Sequence, residues 1–160
     1  ILLAAGTLDS QMGGQGFSGF KVEAENVRHY HPKEAYGTTD WRRMLYMMKV
    51  RQEREPTFGV FDCPDFNQTV PSRSRSTTPL QSLSLLNSPF VLQQAGLLAK
   101  RLRREAGTDP VAQVTRAWRL TLGREPTRRE RADARRLVTE QSLEAFCRAL
   151  FNANEFLFLP

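Results

Sequence analysis

The chain has 160 residues, 40% of them hydrophobic and ten of them Phe, which is enough to bury a core and excludes wholesale disorder. Its apolar runs fall short of the roughly 20 residues that span a bilayer, and the opening ILLAA lacks the charged flank of a signal peptide. The net charge is +6 and the pI about 9.9. The excess is local: Lys100 to Arg136 contains 12 Lys or Arg against 5 Asp or Glu.

The chain starts with Ile1 inside an apolar run, so it is expected to be a piece of a longer protein. Ile1 to Leu8 reads as the end of a helix, and GTLDSQMGGQGFSGF as loop. Phe20, Val22 and Ala24 alternate with polar residues and predict a short strand. His29 to Tyr36 reads as irregular because of Pro32. Trp41, Met44, Leu45 and Met48, at i, i+3, i+4 and i+7 behind Thr38, Thr39 and Asp40, predict an amphipathic helix ending near Val50. TFGVFD alternates weakly and predicts a short strand.

Further helices announce themselves by their starts. Thr78-Pro79 is a cap followed by proline at the first helical position, with Leu80, Leu83 and Leu86 following. Ser88-Pro89 repeats the device, with Val91, Ala95, Leu98 and Leu102 inward and Gly107 past the end. Asp109-Pro110 repeats it again, with Val111, Val114, Trp118 and Leu122 inward and Gly123 as stop. Thr127-Arg128-Arg129-Glu130 is a capping box. A last helix runs from about Gln141 to Asn152, and the closing FLFLP is expected to pack down. The expected fold is mainly α: an orthogonal bundle of short capped helices with a loop-rich N-terminal part and one or two short strands. Residues 1–37 form the loop-rich segment, the remnant of a longer domain, and 38–160 the helical domain.

Several constellations can carry chemistry. Gly14 to Gly19 fits G-x-G-x-x-G literally but lacks the preceding strand and following helix of a nucleotide site, so it reads as loop. His29 and His31 would share one face of an extended segment; as metal candidates they need Glu23, Glu25 or Glu34 brought in by folding. Asp62 and Asp65 bracket Cys63-Pro64 and read as turn caps. Cys147, in the stripe Leu143, Phe146, Cys147, Leu150, Phe151, is a core residue. In RSRSTTPLQ, Arg73 and Arg75 precede the free N–H groups of a helix start, beside Thr77 and Thr78. These parts can hold an anion or brace the helix through an ion pair from Asp62 to Arg73 or Arg75; the brace is the preferred reading. A second basic surface is expected around Arg101, Arg104, Arg128 and Arg136.

The motifs FGVFDCPD, RSRSTTPLQSLSLLNSPFV, RAWRLTLGREPTRRE and ALFNANEFLF follow one another in this order. Thr78-Pro79-Leu80-Gln81, Leu85-Leu86-Asn87, Gly123-Arg124-Glu125-Pro126-Thr127 and Asn154-Glu155-Phe156 carry a resemblance to a planctomycete family, the domain of unknown function 1553, or PSD domain. The chain looks like its C-terminal part. The resemblance covers most of residues 40 to 160 and loosely the region before. It implies an extracytoplasmic setting, periplasmic or cell-surface, and no established activity. Family members often carry a cytochrome-c-like domain, but no C-x-x-C-H occurs in this chain.

The reading is therefore a non-enzymatic helical structural or interaction module of a larger exported protein. Its expected partners are other domains of the same parent, with no cofactor. One alternative is binding of acidic polysaccharide or another anion through the basic surface. The other is a hydrolase or metal-dependent enzyme using His29, His31, Asp62 or Asp65. Nucleic acid is disfavoured because aromatic platforms do not interleave the basic residues.

Overall fold

The structure, a computed structural model, describes residues 1–50, 53, 59–63, 69, 71–72 and 76–158. In chain order the elements are α1 (Leu2–Ala5), β1 (Phe17–Ser18), β2 (Phe20–Ala24), β3 (Arg28–Pro32), β4 (Met47–Met48), α2 (Pro79–Asn87), α3 (Pro89–Ala106), α4 (Pro110–Thr121), α5 (Arg128–Glu140), α6 (Leu143–Phe151) and α7 (Asn154–Leu157). Single 3₁₀ turns at Thr38–Asp40 and Met44–Tyr46 precede β4. The fold is mainly α, with a loop-rich N-terminal part and a few short strands, as the sequence predicts. Two compact units form: Ile1–Thr7 with Val91–Pro160, and Leu8–Phe90.

The first unit is built on capped helices. Asp109 accepts hydrogen bonds from the N–H groups of Val111 and Ala112, and the Thr127–Glu130 box closes around the start of α5. These contacts satisfy donors that a helix start leaves unpaired. Ser142 caps α6 through the Ala145 N–H. Val91, Ala95, Leu98 and Leu102 of α3 are all buried, as their spacing predicts. Val114 and Trp118 of α4 and the whole α6 stripe, Cys147 included, join the core. Trp118 stacks on Phe146 at 5.6 Å. Each fully buried Leu or Val side chain contributes about 1.5–3 kcal/mol. Gly107 and Gly123 end their helices at φ 68° and 69°, in the left-handed region where glycine is unstrained. The C-terminal segment only partly packs down: Phe156 meets Phe151 at 5.4 Å, but Phe158 is exposed.

The second unit departs from expectation between Thr38 and Val50, at His29 to Pro32 and at Gly59-Val60. The helix expected from Thr38 to Val50 is absent. Met44, Leu45 and Met48 are exposed, and Arg42 and Met47 are buried in their place. Met47–Met48 pairs in parallel with Phe17–Ser18, so contacts remote in sequence override a local pattern only one or two turns long. His29 to Pro32 is a strand rather than irregular, antiparallel to β2 with Phe20 opposite Pro32 and Glu23 opposite His29. Pro32 is tolerated because it closes the strand end of a two-stranded edge. In α2, Leu80, Leu83 and Leu86 are exposed, whereas Gln81 and Leu85 are buried. In TFGVFD, Gly59 and Val60 lie in a turn; Thr57 and Phe58 lie outside the described residues.

The loop before β1 is organised by one buried guanidinium. Arg42 donates to the carbonyls of Gln11, Gly13 and Gln15 at 3.1, 2.6 and 2.5 Å. Nearby, Asp40 is buried with both carboxylate oxygens engaged, by the Lys33 ammonium at 2.7 Å and the Gly37 N–H at 3.0 Å.

Candidate functional site

The start of α2 anchors a polar knot within the second unit. Thr78 and Gln81 form a reciprocal capping box: the Gln81 N–H donates to Thr78 Oγ1, and the Thr78 N–H to Gln81 Oε1. The Gln81 amide nitrogen then donates to the Val60 carbonyl at 3.0 Å and to Ser76 Oγ at 3.2 Å. Ser76 in turn donates to Asp62, its N–H at 2.6 Å and its hydroxyl at 2.8 Å. Asp62 itself takes φ 51°, a left-handed conformation that Asp tolerates better than most residues. The knot thus ties the Val60–Asp62 turn to the first turn of α2.

Of the residues expected in this brace, Asp62 and Thr78 are in the knot and Thr77 is exposed beside it. Arg73 and Arg75, and Asp65 with them, lie outside the described residues. Ser76 and Gln81 were not predicted. The spacing Thr78-x-x-Gln81 is itself a capping-box signature and could have located Gln81; Ser76 carries no comparable signal.

A second polar cluster sits on the Gly123-to-Thr127 turn. Arg124 binds Glu155 at 2.6 Å through two nitrogens and Glu130 at 2.7 and 2.9 Å. It also donates to the Glu125 carbonyl. Glu130 additionally accepts the Thr127 N–H at 2.7 Å. The Arg124 guanidinium, with that N–H, holds the Glu130 carboxyl down at about 2. The same guanidinium lowers Glu155, and the two carboxylates raise Arg124. One arginine therefore joins the turn, the start of α5 and the start of α7. Sequence spacing hints at the Arg124–Glu130 contact; nothing local announces Glu155.

The predicted basic residues divide. Arg101 donates to the Leu3 and Ala4 carbonyls and to Glu105, so it closes the C-terminus of α1. Arg104 is exposed, 3.8 Å from Glu105. Arg128 is exposed on α5, as is Arg136, 3.9 Å from Asp133. His29 and His31 lie on one exposed face of the β2–β3 hairpin, with His31 Nε2 3.5 Å from Glu23. Glu23 is thus the carboxylate that folding brings to the histidines. Among the described residues, no group of three or more His, Cys, Asp or Glu could hold a metal ion. Cys63 is half-buried and Cys147 buried, both as free thiols, and burial pushes the Cys147 thiol up to about 12. Among the described residues no helix is long and apolar enough to cross a membrane.

The geometry defines a mainly helical protein in which Thr78 with Gln81, and Arg124 with Glu130 and Glu155, form polar clusters at helix starts. The chain belongs to the PSD1 family, described as protein of unknown function (DUF1553), which it matches over residues 1–138. The match takes in the N-terminal segment, where the resemblance is loose, and stops before Asn154-Glu155-Phe156. No curated protein and no solved structure matches the chain.

Proposed function

We propose that this chain is a non-enzymatic structural and interaction module of a larger exported protein, packing against other domains of its parent. The observation that carries the reading is the engagement of the motif side chains with one another. Thr78 and Gln81 bind each other and the Val60 carbonyl, and Arg124 binds Glu130 and Glu155. Groups committed to such contacts set the shape of a turn. The helix that Thr78 and Gln81 start presents Leu80, Leu83 and Leu86 to solvent at 59, 54 and 38% exposure. An apolar edge held out by a polar knot suits contact with another domain.

Binding of the dye ANS and sedimentation velocity test the interaction part. The chain is expected to enhance ANS emission or self-associate, and Leu80→Lys/Leu83→Lys/Leu86→Lys to abolish the effect without lowering helix content. A monomeric wild-type chain that leaves ANS dark contradicts it.

A further inference from the structure

We propose that the solvent face of α5 is a docking strip for an acidic polysaccharide, gripped by Arg128, Arg129, Arg135 and Arg136. This goes beyond the module reading and does not depend on it. All four side chains are exposed. Arg128 and Arg135 are seven residues apart, as are Arg129 and Arg136. At 100° and 1.5 Å per residue, each pair falls within about 20° on the helix and about 10 Å along it. The four guanidiniums therefore form two rows on one arc, with the small residues Ala132 and Thr139 between them. An extended polymer can lie along that channel.

Other arginines of this unit are engaged elsewhere: Arg101 and Arg116 with Glu105, Arg103 with Glu144, Arg119 with Glu125 and Arg124 with Glu130 and Glu155. The strip is different. Among the described residues Arg128 and Arg135 have no carboxylate partner. Arg129 and Arg136 share only Asp133, each at 3.9 Å, with side chains 94 and 69% exposed. Pairs that long and that wet hold arginines weakly.

Stability does not account for the pattern. Arg128 and Arg129 sit in the first turn of α5, where the helix dipole disfavours positive charge. Arg131 stands four residues before Arg135, a like-charge spacing that weakens a helix. The charges are placed at a cost to the isolated helix, which an anionic partner reverses.

The chemistry of the strip selects among polyanions. Guanidiniums match carboxylate and sulfate groups with paired hydrogen bonds. The strip carries no aromatic side chain for base stacking and no bulky apolar side chain for insertion into a bilayer. Asp133 and Glu140 flank it, which suits a polymer with spaced charges better than duplex DNA, with its charge about every 1.7 Å.

The test is fluorescence anisotropy with labelled heparin and polyuronate oligosaccharides, with labelled duplex DNA and phosphatidylserine vesicles as competing arms. Arg128→Gln/Arg129→Gln/Arg135→Gln/Arg136→Gln should bind about tenfold or more weakly than wild type, and Arg104→Gln within roughly twofold of it. Glutamine keeps helix propensity; the pairs Arg128→Gln/Arg135→Gln and Arg129→Gln/Arg136→Gln, with far-UV circular dichroism, give the answer should the quadruple variant misfold. The inference is overturned by oligosaccharide binding that the variants leave unchanged, or by none in wild type at about 0.15 M salt. DNA or vesicles binding as tightly as the oligosaccharides overturns it too.

Discussion

The Arg42 guanidinium lies over the Tyr46 ring, 4.1 Å from its centre. The Tyr46 hydroxyl accepts the Gly13 N–H at 2.8 Å, while Arg42 takes the Gly13 carbonyl. Two side chains four residues apart thereby fold a glycine-rich loop some thirty positions earlier in the chain. Arg42→Ala removes a buried side chain and the three part-buried hydrogen bonds it donates, and should cost about 1–3 kcal/mol. Arg42→Lys should rescue little, because an ammonium cannot reproduce the planar fork. Hydrogen exchange of residues 9–16 reads the effect directly: faster exchange in Arg42→Ala is expected, with Arg43→Ala as an exposed comparison.

The same loop limits position 16. A Cβ on Gly16 would stand 2.6 Å from the Tyr46 carbonyl oxygen, a backbone atom that cannot swing aside. Gly16→Ala should therefore destabilise by about 1–3 kcal/mol in urea unfolding. Gly37→Ala, which meets nothing within 4 Å, should cost less.

Acid should loosen the Arg124 cluster. Its guanidinium holds Glu130 at about 2, below the ordinary 4.5 of a free Glu. A carboxyl depressed by folding contributes stability that is complete above its unfolded value and lost as pH falls towards its folded one. The melting temperature should therefore drop between about pH 4.5 and pH 2, and drop less steeply in Glu130→Gln. Parallel melting curves for the two proteins over that window would remove Glu130 from the account.

The two thiols should separate under labelling. Cys147 is fully buried and its thiol is pushed up to about 12, whereas Cys63 is half-buried. Iodoacetamide at pH 8 is expected to modify Cys63 first and Cys147 only on unfolding, since the thiolate is the reactive form. Mass spectrometry of the digested protein distinguishes the two.

Helix starts were legible in the sequence wherever the signal was local. Thr78-Pro79, Asp109-Pro110 and Thr127 with Glu130 each place a side-chain acceptor beside the donors it satisfies, so a few residues suffice. The α3 and α6 stripes were legible because nine to eighteen residues repeat one spacing. Trp41 to Met48 was misleading for the opposite reason. Its few apolar residues fit a helix, but Met47 pairs with Phe17 and Arg42 is drawn into the loop, partners the pattern cannot show. In α2 the leucines stay exposed while Gln81 turns in to the Val60 carbonyl, a contact across 21 residues with no local trace. Arg124 was visible as part of a turn, yet its contact with Glu155 spans 31 residues and has no local trace.

The central claim is that the Thr-Pro-Leu-Gln motif is a brace, and Gln81 is its pivot. Urea unfolding of Gln81→Ala is the most direct measurement, with exposed Leu80→Ala as the reference. Losing an amide that serves the Thr78 N–H, the Val60 carbonyl and Ser76 should lower stability by about 1–3 kcal/mol, with little change in Leu80→Ala. A Gln81→Ala chain as stable as wild type would contradict the account.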